Sequence, residues 1–119
     1  MKSLLLVAHG SRKASSNDEV RQLTENLAGK ATGHFDDVRC AFLELAEPSI
    51  PDGLQQCADA GADEIVVFPY FLSAGRHVVE DIPGEIDKKK DELSSVTIRQ
   101  ADYLGSLDGI VDMMLNAVT

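Results

Sequence analysis

Residues 4–13 read LLLVAHGSRK, a short uninterrupted apolar run stopped by His9, Gly10 and two cations. An apolar run of five residues closed by turn-forming residues suits a strand covered on both faces. Strands of that kind belong to parallel sheets, whose crossover connections place helices on either side.

The residues after it carry helix-start signals. Ser15, Ser16, Asn17 and Asp18 precede Val20, Leu23 and Leu27, which recur at helical spacing among polar neighbours. Gly29 and Gly33 mark the helix end. Residues 38–45 form a second strand, with Arg39 and Glu44 as its charged members. Glu47, Pro48 and Ser49 open a second helix carrying Ile50, Leu54, Cys57 and Ala58 on one face. Residues 64–68, EIVVF, give the strongest strand signal of the chain, and Pro69 should change the pairing. A loop from Ser73 to His77 leads into a third helix, which Pro83 and Gly84 should interrupt or restart. Residues 96–98 make a short fourth strand. Leu107, Ile110, Val111, Met114, Leu115 and Val118 outline a last amphipathic helix.

The order βαβαβαβα implies a three-layer α/β sandwich: a four-stranded parallel sheet, strand order 2-1-3-4, with helices on both faces. With 119 residues, one domain spanning 1–119 is expected, and a chain of this size buries roughly 65% of its unfolded surface. Eleven Lys and Arg against 20 Asp and Glu leave a net charge of −9. That balance argues against nucleic acid and anionic membrane surfaces as partners. The first apolar run is too short for a signal peptide or a membrane span. Cys40 and Cys57 have neither metal nor redox spacing and read as buried apolar groups in a reducing, cytoplasmic protein.

In open parallel sheets, ligands bind at the carboxyl ends of the strands, near the reversal of strand order. Three chemically capable groups fall there: His9 after strand 1, Glu44 at the end of strand 2, and His77 after strand 3. Two imidazoles and a carboxylate suit Zn, Fe, Co or Ni with coordination positions left open, and can also move protons near neutral pH. Ser11, Arg12, Lys13, Ser73 and Arg76 share that edge and form a candidate anion-binding rim. The spacing matches neither a dinucleotide fingerprint nor a P-loop, so no nucleotide is expected. His34 in a turn and Lys88, Lys89 and Lys90 on the third helix read as solvated surface.

Taken together, LLLVAHGSR at 4–12, AFLELAEPSI at 41–50 and VVFPYFLSAGRHVVEDIP at 66–83 resemble the small, single-lobe sirohydrochlorin chelatases of the ATP-independent (class II) tetrapyrrole chelatases. The resemblance covers about two thirds of the chain; beyond Leu93 only the strand-plus-helix pattern matches. It implies insertion of Co²⁺ or Fe²⁺ (Ni²⁺ also being open) into sirohydrochlorin, in cobalamin or siroheme biosynthesis. By the same resemblance His9 and His77 hold the metal and accept pyrrole protons, and Glu44 assists. Phe68, Tyr70, Phe71 and Leu72 offer apolar walls for a macrocycle. Larger relatives have two such lobes around one cleft, so a single lobe is expected to work as a homodimer. Two other readings use the same residues: a non-catalytic metal or tetrapyrrole carrier, and a phosphohistidine phosphatase or mutase acting through His9. The latter usually has Arg immediately before the histidine, where this chain has Ala8.

Overall fold

A computed structural model describes all residues, Met1–Thr119. Strand β1 (Lys2–Ala8) is followed by helix α1 (Ala14–Lys30), β2 (Asp37–Phe42), α2 (Ile50–Asp59) and β3 (Glu64–Pro69). A π-helical turn (His77–Asp81) runs directly into α3 (Ile82–Lys90), then come β4 (Thr97–Gln100), a 3₁₀ turn (Leu104–Ser106) and α4 (Gly109–Val118). The strands form one sheet in the order β2-β1-β3-β4, every pair parallel. Order and direction are those expected from the apolar runs.

Side chains alternate across β1, so its two faces build different layers. Leu5 and Val7 join Ala41, Ile65 and Val67 beneath Ile50, Leu54 and Cys57 of α2 and Ile82 and Ile86 of α3. Leu6, Ala8 and Phe42 are also buried, and Leu6 shares an apolar groove with Leu23 and Leu27 of α1 on the opposite face. Helix α2 starts as the sequence implies: the Ser49 hydroxyl accepts from the Asp52 N–H at 3.2 Å, and Pro51 occupies the first turn. Pairing ends at Pro69, opposite Val7, as a residue without an N–H requires.

Four features depart from, or go beyond, what the sequence pattern implies. Strand β2 stops at Phe42 rather than at residue 45. Leu43 and Glu44 still donate their N–H groups to Ala8 and His9 carbonyls, at 2.9 and 3.0 Å, but Leu45 turns the chain with φ 66°. Pro83 restarts the helix, as expected, rather than breaking it. The Ile82 N–H bonds the His77 carbonyl five residues back, a widened turn in which the Pro83 ring is accommodated at the start of α3. The Val78 carbonyl thereby loses its helical donor, and Gln100 at the end of β4 supplies one, its Nε2 donating at 3.1 Å.

Third, Lys89 is not a free surface cation. Its side chain is 16% exposed and its ammonium donates to Gln55 of α2 at 2.9 Å, whereas Lys88 and Lys90 remain in solvent. Fourth, α4 does not close the α1 side of the sheet. No residue of α4 is buried, and Val111, Met114, Leu115 and Val118 are each more than half exposed. An apolar groove of about 300 Å³ therefore stays open beside α1, between Leu6, Leu27, Phe68, Tyr70 and Met113. This is why Leu23, expected inside, is 38% exposed. The buried positions of α1 are Asn17 and Thr24 instead. Of the two cysteines, Cys57 is fully buried and Cys40 only partly so. No helix is long and apolar enough to cross a membrane.

Candidate active site

The carboxyl ends of β1, β2 and β3 bring His9, Glu44 and His77 together. Hydrogen bonding of residues 43 and 44 onto Ala8 and His9 carries Glu44 past its strand to the side of His9. The His9 Nε2 lies 3.3 Å from Glu44 Oε1. The His9 and His77 rings stand 4.8 Å apart, inclined at 58°, and the Phe71 ring backs His77 at 6.0 Å. All three polar side chains are about half exposed, so a ligand reaches them directly.

Gly10 makes this approach achievable. Its φ is +94°, and a Cβ there would stand 1.7 Å from the Glu44 carbonyl oxygen. Only glycine suits both the dihedral and the contact. The turn beyond it is braced by the buried Asn17, whose Oδ1 accepts from the Ser11 N–H at 2.9 Å and whose Nδ2 donates to the Ser11 carbonyl at 2.8 Å.

Hydrogen-bond partners define what each imidazole offers. The His9 Nδ1 is 3.0 Å from the Gly10 carbonyl, which only accepts, so the proton of a neutral ring sits on Nδ1. Nε2 then turns a lone pair toward a Glu44 carboxylate oxygen that also carries lone pairs. The gap between them attracts a cation, either a proton or a metal ion. His77 Nδ1 is 2.8 Å from Asp81 Oδ2. No three His, Cys, Asp or Glu side chains converge closely enough to enclose an ion by themselves. An ion met by His9 and Glu44 would draw its further donors from the neighbouring His77 and from a substrate.

The other expected site residues are spread along the same edge. Ser11 borders a groove of about 240 Å³ shared with His9, Tyr70 and Phe71, and its hydroxyl accepts from the Lys13 N–H. Arg12, Lys13 and Ser73 are exposed. Arg76 is 78% exposed and points along its helix to Glu80, 3.6 Å away. Phe68 contributes to the open apolar groove rather than to the histidine pair, and Leu72 is 73% exposed. A second groove of about 340 Å³, bordered by His77, gathers Glu44, Glu80, Asp81 and Glu85 against the single cation Lys88. This edge is thus more acidic than the expected cationic rim.

Sequence reasoning missed three supporting residues. Asp81 could have been found as a carboxylate four residues after His77 on a helix. Asn17 reads in the sequence only as a helix-start residue. Gln100 lies 22 residues from the carbonyl it serves and carries no local signal.

The family profile CbiX matches residues 3–119. The chain belongs to the CbiX family. Among curated CbiX relatives, a sirohydrochlorin cobaltochelatase from Methanococcus maripaludis is 40% identical over 83 residues, 70% of this chain and 56% of that protein. One from Sulfolobus acidocaldarius is 34% identical over 114 residues, 96% of this chain and 87% of the relative. Other relatives carry the name sirohydrochlorin ferrochelatase. The solved sirohydrochlorin chelatase SirB from Bacillus subtilis subspecies spizizenii, in complex with cobalt, superposes with a TM-score of 0.83 at 29% identity. That match covers 98% of this chain and 49% of SirB. Several matched relatives are thus about twice as long as the matched span, whereas the Sulfolobus protein is of similar length.

Proposed function

We propose that this CbiX protein inserts a divalent metal, Co²⁺ or Fe²⁺, into sirohydrochlorin. The observation that carries the reading is the 3.3 Å approach of His9 Nε2 to Glu44 Oε1, beside the His77 ring. It is a partly charged, open-sided trio suited to holding a borderline metal ion while a substrate displaces solvent from it. The metal is a substrate here. Its delivery to the ring centre must release two pyrrole protons, one for each N–H exchanged for a metal–nitrogen bond. Imidazole and carboxylate groups are the proper acceptors, and they pass the protons to water. Glu44 also offsets the charge of the arriving ion. The acidic groove around Glu80, Asp81 and Glu85 concentrates cations near this edge. Ser11 lines the groove beside His9, and the exposed Arg12 and Lys13 that follow it in the chain can receive carboxylate side arms of a tetrapyrrole. Phe71 and Tyr70 supply an apolar border.

The site is open on its solvent side, and α4 leaves its apolar face uncovered. We infer that two copies associate and supply the second wall of the cleft, as a closed symmetric pair does most simply.

The test is metal insertion followed by the absorbance of the tetrapyrrole, with Co²⁺ and Fe²⁺ in competition at limiting free metal. The purified protein is expected to accelerate insertion, and the H9A/H77A double variant to lose that acceleration. Acceleration unchanged in the double variant would reject the site. Tight binding of metallated product without acceleration would point to a carrier.

A further inference from the structure

His77 is held by a contact that the proposed chemistry does not itself require. Its Nδ1 lies 2.8 Å from Asp81 Oδ2, one turn further along the π-helical segment. An ionised carboxylate has no proton to give, so the hydrogen in this bond belongs to Nδ1. Asp81 is otherwise uncommitted: its carboxylate pairs with no lysine or arginine, while the adjacent Glu80 is drawn to Arg76. The ring is further confined between Phe71 and His9. From this arrangement we infer that Asp81 is a positioning residue, which fixes the Nδ1–H tautomer of His77 and leaves the Nε2 lone pair free for a metal ion or a proton.

The physical reason is general. A neutral imidazole has one donor and one acceptor nitrogen, and the partner of one decides the role of the other. Carboxylates bound to the remote nitrogen of a ligating histidine orient the ring and raise its basicity. An unrestrained ring would divide its population between two tautomers and several rotamers, and part of that population would present N–H to an incoming cation. The π-helical turn participates because it sets where Asp81 stands relative to His77, and Gln100 closes that turn through the Val78 carbonyl.

The inference rests on the metal-insertion reading for its purpose but not for its test. Nitrogen-15 correlation spectra of the histidine rings, recorded on the protein at about pH 8, where an ordinary imidazole is neutral, report the tautomer of His77 without substrate or metal. The expected spectrum shows Nδ1 protonated and Nε2 bare. An Nε2–H signature for His77 would overturn the inference. In D81A the ring is expected to shift toward the Nε2–H form and Co²⁺ affinity, followed by calorimetry, to fall about 10- to 100-fold. In D81N the amide oxygen still accepts from Nδ1–H, so the native tautomer persists and part of the lost affinity returns. A D81A protein with the native tautomer and native Co²⁺ affinity would refute the positioning role. If D81A does not fold, the wild-type and D81N spectra still test the inference, since an Nε2–H ring in either overturns it. An insertion assay on the wild type, failing while the spectrum is as expected, would reject the chelatase reading and leave the Asp81–His77 pair standing.

Discussion

Replacing Gly10 by alanine tests the geometry that joins His9 to Glu44. Two costs follow from the structure. At φ +94°, an L-residue pays roughly 1–2 kcal/mol for the left-handed backbone. The new Cβ would also stand 1.7 Å from the Glu44 carbonyl oxygen, so residues 43–45 must retreat by about 1 Å or more. That retreat strains or breaks the Glu44 N–H···His9 carbonyl bond of 3.0 Å, a further 0.5–1.5 kcal/mol or about that. The total is about 1.5–3.5 kcal/mol. Gly33 provides the control, with φ +91° and nothing within 4 Å of its own hypothetical Cβ. G33A therefore carries only the backbone cost, about 1–2 kcal/mol. Urea denaturation of both variants, compared by midpoint at unchanged slope, should place G10A clearly below G33A. A displacement on this scale at a reacting centre also costs on the order of 100-fold in rate, so G10A should lose metal insertion while G33A keeps it. Equal stability of the two variants, or native insertion by G10A, would refute the assignment of the close contact.

Three further outcomes are expected. Q100L removes the donor that Pro83 cannot provide to the Val78 carbonyl; it should destabilise the protein by about 1–3 kcal/mol, and native stability in a thermal melt would contradict that role. Burial, reinforced by the nearby Asp37 carboxylate, raises the Cys57 thiol from 9.0 to about 11. The unfolded chain gives up this proton first, so the associated stability is present below pH 9.0 and is lost as pH rises toward 11. A thiol reagent at neutral pH should accordingly modify Cys40 before Cys57, and equal rates would contradict the burial. Charged replacements in the exposed face of α4, M114K with L115K, should convert the inferred dimer to monomer by sedimentation without lowering the melting temperature of the monomer. A wild type that sediments as a monomer at all concentrations would remove the dimer.

Much of the site was legible because its parts are local signals at the ends of strands. The run LLLVA closed by His9 and Gly10 needed only the rule that a doubly covered strand is continuously apolar. The parallel order then assigns His9, Glu44 and His77 to one edge. Their separation of a few ångströms depended on things no window of sequence contains. Strand β2 ends early, so that Glu44 reaches His9 through backbone bonds rather than through the sheet ladder. Lys89, which reads as solvated, folds back toward Gln55 because α2 and α3 pack together.

Helix periodicity was a weaker guide to burial. The pattern of α4 matches that of a core helix, yet its apolar face meets no sheet of this chain. The pattern of α1 nominates Leu23, yet Asn17 and Thr24 are the enclosed residues. Apolar spacing says that a face prefers to leave water; it does not say which surface receives it.

By itself, then, the sequence determined the elements, their parallel order and the chemical types gathered at one edge, because those follow from patterns repeated over a few residues. Tertiary structure alone decided that Asp81 engages His77, that Gln100 completes the turn beneath it, and that Gly10 lies against Glu44. These are contacts of single atoms, made by residues whose short-range signals are ambiguous or absent, and only the packed sheet and its crossovers bring them within bonding distance.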